Sequence, residues 1–310
     1  MTQNFYPHFG RIEPNQEQIN LHDSMNRQLL NLCKKLPRPL QNSAAIFLRQ
    51  YNPTDNFMFD FMSLFYPPSY SILYWISNFS IRDEIHTRQN REFGSKAMSM
   101  ALFLHLLDDH IADGDIRVDH MHLQLRTEAW NVYMENLEYL GNQVPNGKEI
   151  IREYIEEYFD NIYDPPAIQT IDEYANLFPK QIATWRIVVN LLARDLLEEN
   201  IHSVLDEVYS SFGISWRLLD DLQDWEKDLE NKQKAAVYYI ISEDKRASWE
   251  NSERKEILER KGLFEKILVE KIITELEKAK RLAFDLKWKE FANEFESLKK
   301  PLEDFYGNGR

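Results

Sequence analysis

The sequence predicts an all-α protein that folds as a single-domain helical bundle. Glycine accounts for only 9 of the 310 residues, or about 3% against a usual share of roughly 7%. Because sheet proteins use glycine in hairpin turns, this shortage favours helices. Helical periodicity dominates from about Leu21 onward, and no strand run, internal repeat or low-complexity tract interrupts it. We therefore expect one all-α domain over residues 21–310, preceded by an irregular segment over residues 1–20.

Proline and glycine mark the ends of the predicted helices. Proline removes an amide donor and restricts the residue before it, so helices end near it. Breaks are predicted at 37–39, 51–53, 67–68, 141–147 and 164–166. Helices are predicted near 83–112, 119–140, 147–162, 170–200, 202–230 and, in two or three pieces, 252–306. Pro179 lies inside one of these stretches and should kink or break that helix.

Composition and charge exclude several classes of function. With 51 acidic and 37 basic residues, the formal net charge is −14, which suits neither nucleic-acid binding nor an anionic membrane surface. No apolar run approaches the roughly 18 to 20 residues of a membrane span, and the N-terminus lacks the features of a signal peptide. The single cysteine, Cys33, suits a reducing compartment. We expect a cytoplasmic protein without nucleic-acid partners or stable membrane insertion.

The first acidic motif ends the predicted helix 83–112. Asp108, Asp109 and Asp113 follow an apolar stripe that includes Met98 and Leu102, and Asp109 and Asp113 lie about 40° apart on one helical face. Carboxylates at a helix C-terminus oppose the helix dipole, and like charges at i,i+4 repel. A bound metal ion would relieve both penalties. The alternative is a solvated acidic helix end.

The second acidic motif lies within the predicted helix 202–230. Asp220, Asp224 and Asp228 step by four residues and form one ridge. The helix is apolar around most of its circumference, which indicates burial. Buried carboxylates are unfavourable unless they are paired or bind a metal ion. The same face carries further candidate residues: Tyr209, Gly213, Trp216, Arg217 and Lys227.

Two such ridges, facing each other across a cleft, could bind a diphosphate. Mg²⁺ prefers carboxylate, water and phosphate oxygens, and Arg217 and Lys227 could neutralise further phosphate oxygens. Withdrawing charge from a diphosphate makes it a good leaving group. The apolar stripe would hold a hydrocarbon tail, and Trp216 and Tyr209 could stabilise a carbocation through cation–π attraction, although aromatic residues on a buried helix are commonly part of the core.

Both motifs resemble those of the class I isoprenoid synthases. Residues 108–113 look like the first aspartate-rich motif. Residues 213–224 are similar to the second motif of trans-prenyl diphosphate synthases, except that Arg217 stands where glutamine is usual. Residues 220–228 resemble the second metal motif of terpene cyclases, with Lys227 on its lysine and aspartate at all three ligand positions.

The resemblance implies a helical isoprenoid synthase fold with a central active-site cavity and three Mg²⁺ ions. It implies a linear prenyl diphosphate substrate, C10 to C20 or longer. Cyclases carry a diphosphate-sensing arginine near a helix break, and Arg186 and Lys180 follow Pro179. The predicted metal ligands are Asp108, Asp109, Asp113, Asp220, Asp224 and Asp228. The predicted catalytic residues are Asp109, Asp220, Asp224 and Arg186, and the predicted pocket residues are Trp216, Tyr209, Gly213, Leu102 and Met98.

Among the possible reactions, a terpene synthase (cyclase) is favoured. Prenyl diphosphate synthases also carry a Gly-Gly-Lys-x-x-Arg-Pro site, whereas this chain has only Lys35-Leu-Pro-Arg38-Pro39, which we interpret as coincidence. The arginine–tyrosine pair common near cyclase C-termini is missing.

Several alternatives stay open. They are a prenyl diphosphate synthase, a squalene-synthase-like prenyltransferase, and a non-catalytic subunit that binds a prenyl diphosphate. A helical di-iron protein is a weaker alternative, because Glu199-x-x-His202 and Asp83-x-x-His86 only loosely match its Glu-x-x-His motif. A homodimer is also left open, since helical enzymes of this kind are often dimers.

Overall fold

Regular structure in this protein is entirely helical over the ranges that its computed structural model describes, which are 7–52, 58–241, 243–246 and 260–307. These ranges contain α-helices and one turn of 3₁₀ helix at Phe61–Leu64, and no strand. The predicted all-α class is therefore confirmed.

The helices match most of the predicted ranges within one or two residues. The first six are α1 (Gln16–Lys35), α2 (Arg38–Arg49), α3 (Pro68–Asn78), α4 (Glu84–Ala112), α5 (His120–Gly141) and α6 (Gly147–Tyr163). The others are α7 (Ile171–Gln181), α8 (Ala183–Leu196), α9 (Ile201–Asn231), α10 (Ala236–Ile240), α11 (Glu243–Arg246), α12 (Lys261–Asp285) and α13 (Lys289–Gly307). Residues 252–259 of the last predicted stretch lie outside the described ranges.

Local capping explains where several helices begin. The Asn15 side chain accepts from the Gln18 backbone N–H, and the Gln18 side chain accepts from the Asn15 backbone N–H, both at 3.0 Å. This capping box starts α1 at Gln16, inside the segment 1–20 that we predicted to be irregular. Asp83 caps α4 in a similar way, because its side chain accepts from the His86 N–H at 3.0 Å.

Pro179 breaks the helical stretch 170–200 as predicted. Helix α7 ends at Gln181, Ile182 departs from helical geometry, and α8 begins at Ala183. Proline has no N–H to donate to the carbonyl four residues earlier, and its ring crowds that carbonyl. The chain forms two shorter helices where periodicity alone indicates one, and the division falls at Ile182, three residues after Pro179.

The chain divides into two compact units. One, called here the α4 unit, comprises Glu13–Glu156 and Ala183–Asp206. The other, called the α9 unit, comprises Met1–Ile12, Glu157–Ile182 and Glu207–Arg310. The first acidic motif belongs to the α4 unit and the second to the α9 unit, so the two motifs are described separately. A single domain over residues 21–310 stays a prediction.

Each unit has its own hydrophobic core. In the α4 unit, α4 packs against α1, α3, α5 and α8, and the buried Trp185 donates from its indole to the Ala101 carbonyl at 3.2 Å. In the α9 unit, α12 packs against α13, and Phe212 lies near Phe295 in the core. In the described ranges, no helix combines the length and apolar character that crossing a membrane would require.

Candidate functional site

The acidic ridge on α9 is formed by Asp220, Asp224 and Asp228. Asp220 and Asp224 are exposed to solvent, whereas Asp228 is only 9% exposed. Burial, together with the nearby carboxylates of Asp221 and Asp224, raises the pKa of Asp228 to about 6. The ridge therefore concentrates negative charge, and a cation bound there would relieve the repulsion.

The donor chemistry of this ridge fits Mg²⁺. Its ligands are carboxylate oxygens, placed about 6 Å apart along the helix axis. Among the described residues, no three histidine, cysteine, aspartate or glutamate side chains group closely enough to hold a metal ion alone. Mg²⁺ characteristically takes one or two carboxylates together with water and substrate phosphates, without an all-protein cage. The ridge therefore suits Mg²⁺ that binds together with a phosphate-bearing ligand.

Asp221, next to the ridge, has a different environment. It is 3% exposed, and its Oδ1 lies 3.3 Å from Arg217 Nε. Its Oδ2 accepts from the Ala236 backbone N–H at 3.0 Å. The Tyr174 hydroxyl accepts from Arg217 Nε and Nη2 at 3.0 and 2.8 Å. This carboxylate therefore ties α9 to α7 and α10.

Arg217 and Lys227 were both predicted to bind diphosphate. Lys227 is exposed on α9, while Arg217 contacts Tyr174 and Asp221. Lys180, the third predicted diphosphate ligand, is exposed on α7. Their roles stay predictions. Sequence reasoning missed Tyr174, because it lies 43 residues before Arg217 on another helix.

The predicted pocket residues of α9 lie in its N-terminal half. Tyr209 and Gly213 are buried and Trp216 is partly exposed. A Cβ added to Gly213 would come 2.9 Å from Ile182 Cδ1, so this glycine permits close packing against the end of α7. The Trp216 ring lies 6.4 Å from the Phe178 ring. A role for these residues in a substrate pocket stays a prediction.

In the α4 unit, the first acidic motif ends α4 and caps it. Asp109 and Asp113 are exposed. Asp108 is 18% exposed and forms a bidentate ion pair with Arg126 of α5, with Nε to Oδ1 at 2.5 Å and Nη2 to Oδ2 at 2.8 Å. Both oxygens of Asp108 thus already have a cationic partner, which sequence reasoning missed. Metal binding by these three aspartates stays a prediction.

The apolar residues predicted to line a pocket beside this motif, Met98 and Leu102, are fully buried in the α4 unit. They belong to the face of α4 that packs into the core, and their role in holding a substrate stays a prediction.

Arg186, the predicted diphosphate sensor, has a structural partner. Its Nε and Nη2 donate to the two carboxylate oxygens of Asp206 at 2.9 and 2.7 Å, and its guanidinium lies 5.4 Å from the centre of the Tyr154 ring. Both Arg186 and Asp206 belong to the α4 unit. The sensing role stays a prediction, and contact with a diphosphate would compete with this ion pair.

Asp83 and His86, two of the side chains behind the di-iron alternative, have other roles. Asp83 caps α4. His86 Nε2 lies 2.7 Å from Asp195 Oδ2, and Arg82 lies 3.6 Å from the other oxygen of the same carboxylate. Capping and ion pairing account for the Asp83-x-x-His86 spacing without iron.

Comparison with known proteins finds similarity at the level of structure. No family model matches the sequence, and no curated protein matches it. The chain is similar in structure to a geranylgeranyl pyrophosphate synthetase from the archaeon Geoglobus acetivorans, with a TM-score of 0.61 and 16% sequence identity, covering 93% of this chain and 99% of that chain. The chain therefore has an all-helical fold of the isoprenoid synthase type.

Proposed function

We propose that this protein is a Mg²⁺-dependent enzyme that acts on a prenyl diphosphate. The observation that carries the proposal is the acidic ridge on α9, in which Asp220 and Asp224 are exposed and Asp228 is held at a raised pKa. Three like charges in line on one helix face are unfavourable without a cation. The fold shared with a geranylgeranyl pyrophosphate synthetase supports the same class of substrate.

The residues of the ridge would act as oxygen ligands. Asp220, Asp224 and Asp228 would hold Mg²⁺, and Asp109 and Asp113 of the α4 unit provide further carboxylates of the same kind. Bound Mg²⁺ would neutralise the negative charge that develops on a departing diphosphate. The protein's own contribution is to hold these carboxylates spaced by helical turns and aligned before the substrate arrives, which reduces the reorganisation needed during the reaction.

We propose prenyl transfer as the reaction. The bond between the prenyl carbon and the diphosphate oxygen breaks, a carbon–carbon bond forms to isopentenyl diphosphate, and the acceptor loses a proton, with diphosphate as the leaving group. The structural relative supports this choice, because it is named as a geranylgeranyl pyrophosphate synthetase. The sequence-based preference for a cyclase has no comparable structural support.

Cyclisation is the second candidate, for a specific reason. The chain lacks the Gly-Gly-Lys-x-x-Arg-Pro site of prenyl diphosphate synthases. Its nearest approach, Lys35 at the end of α1, lies 3.6 Å from Glu135 and 3.9 Å from Glu128. Two neighbouring carboxylates make this lysine a poor ligand for a second diphosphate. In a cyclase, the same ionisation would yield a hydrocarbon or an alcohol without an acceptor.

Product analysis separates these reactions. The protein would be incubated with geranyl, farnesyl or geranylgeranyl diphosphate, with Mg²⁺ or EDTA, and with or without isopentenyl diphosphate. Diphosphate release and longer prenyl diphosphates that require isopentenyl diphosphate would support transfer, whereas a hydrocarbon or alcohol formed without it would support cyclisation. A head-to-head C–C product from two identical substrates would indicate squalene-synthase-like condensation, and binding without turnover would indicate a non-catalytic subunit.

A further inference from the structure

A buried polar network supports the helix that carries the acidic ridge. It consists of Tyr174 on α7, Arg217 and Asp221 on α9, and the backbone N–H of Ala236. The two oxygens of Asp221 face different partners, Arg217 at 3.3 Å and the Ala236 N–H at 3.0 Å. Tyr174 joins the network through Arg217, since its hydroxyl accepts from Arg217 Nε and Nη2 at 3.0 and 2.8 Å. We call these residues the Tyr174 network.

The network fixes the start of the chain segment that follows α9. The N-cap residue of α10 is Ala235, whose side chain cannot accept a hydrogen bond from the first turn of the helix. The carboxylate of Asp221 takes that place, because it accepts from Ala236, 15 residues later in the chain. Asp221 therefore holds segment 235–241 against α9.

Two further contacts attach this segment to α7. The Tyr239 ring stacks on the Tyr174 ring, with centroids 4.9 Å apart. Arg246 donates to the carbonyls of Tyr238 and Ile241 at 3.1 and 3.0 Å, and to the Gln169 carbonyl, just before α7, at 2.6 Å. Tyr174 thus belongs to both attachments, through its hydroxyl group and through its ring.

Asp221 is poorly suited to bind a metal ion directly. It is 3% exposed, and both of its oxygens have protein partners, whereas Asp220 and Asp224 on either side are exposed. It nevertheless lies between Asp220 and Asp224 on the same helix, so its two partners fix the stretch of α9 that carries the ridge. Mutating groups that contact and orient metal ligands, without binding the metal themselves, typically lowers metal affinity by about 10- to 100-fold.

We propose that Tyr174, Arg217 and Asp221 are positioning residues for the acidic ridge. They hold segment 235–241 on α9. In this way they fix the positions of Asp224 and Asp228, which would bind the Mg²⁺ that carries the diphosphate. Arg217 acts through Asp221, which it contacts at 3.3 Å. This inference rests on the proposed function, and it adds a role for Tyr174 that no sequence motif indicates.

The test compares two conservative variants with a matched control in the full-length protein. Tyr174→Phe removes only the hydroxyl that accepts from Arg217, and Asp221→Asn removes the charge while keeping an oxygen acceptor. Tyr163→Phe makes the same chemical change at an exposed position in the same unit, outside the network. Calorimetry would measure binding of Mg²⁺ with inorganic diphosphate, hydrogen exchange would report on segment 235–241, and thermal melting would report on folding.

The expected result is a selective loss of binding. Tyr174→Phe and Asp221→Asn should weaken Mg²⁺–diphosphate binding by about tenfold or more and speed exchange in segment 235–241, while Tyr163→Phe resembles the wild type. Unchanged affinity in both variants, even with a lower melting temperature, would show that the network is merely structural and overturn the inference. Absence of binding by the wild type would instead refute the proposed function, and the inference would fall with it.

Discussion

The acidic ridge predicts that the metal-free protein is destabilised by its own charge, and Asp228→Asn tests this. Burial and neighbouring carboxylates raise the pKa of Asp228 from 3.8 to about 6. Below pH 3.8 the carboxyl group is protonated in both the folded and the unfolded state and has no effect. As the pH rises towards 6, the unfolded state loses this proton first, so the folded state becomes less stable. Above pH 6 the penalty is complete.

The size of the effect follows from the two pKa values. The difference between 3.8 and about 6, at about 1.36 kcal/mol for each pH unit, gives a penalty of about 3 kcal/mol at pH 7.5. At pH 4.5 the same two values leave about 1 kcal/mol. Asparagine has nearly the same shape and no charge. Asp228→Asn should therefore raise the free energy of unfolding by up to about 3 kcal/mol at pH 7.5 and by much less at pH 4.5.

Urea unfolding in EDTA at the two pH values measures this difference. Asp160→Asn, an exposed site in the same unit, is the control and should change stability by less than about 0.5 kcal/mol. Mg²⁺ with inorganic diphosphate should stabilise the wild type more than Asp228→Asn, because the ligand removes the same repulsion. Equal stability of wild type and Asp228→Asn at pH 7.5 would refute the reasoning.

Three further predictions concern the motifs and the packing around them. Asp109→Ala and Asp224→Ala should each abolish diphosphate release while leaving the helical circular dichroism spectrum intact; near-normal turnover in both would contradict the metal assignment. Arg126→Met should lower the free energy of unfolding by about 1–3 kcal/mol in urea titrations, because Asp108 loses its cationic partner in a largely buried position. Gly94→Ala should lower the melting temperature, because the added Cβ would come 2.5 Å from a Leu192 methyl carbon. Overpacking costs about 1–3 kcal/mol of stability, which exceeds the roughly 1 kcal/mol that alanine gains over glycine in helix propensity.

Much of the fold follows from local signals in the sequence. Asp83 is a strong N-cap, and the helix that follows it begins at Glu84, one residue from the predicted start. Pro179 removes a helical hydrogen bond and crowds a carbonyl, and the break falls at Ile182. These features act over a few residues, so they can be predicted from helical periodicity and capping preferences. The start of α1 was misplaced because the capping box at Asn15 lies within an otherwise irregular stretch.

The candidate site shows where such local reasoning ends. The i,i+4 spacing identifies Asp220, Asp224 and Asp228 as one ridge, since helix geometry alone fixes that relation. The spacing does not reveal that Asp221 is buried and paired with Arg217. Nor does it reveal that Arg126, on another helix, forms an ion pair with Asp108. Such partners are set by tertiary packing between helices, and a single sequence carries no local sign of them.

Diphosphate release from farnesyl diphosphate, followed as Mg²⁺ is titrated into the wild type and into Asp224→Ala, tests the central claim most directly. The account predicts release by the wild type that depends on Mg²⁺ and stops with EDTA, with no release by Asp224→Ala at any Mg²⁺ concentration. Release that is independent of Mg²⁺, or equal in the two proteins, would contradict it.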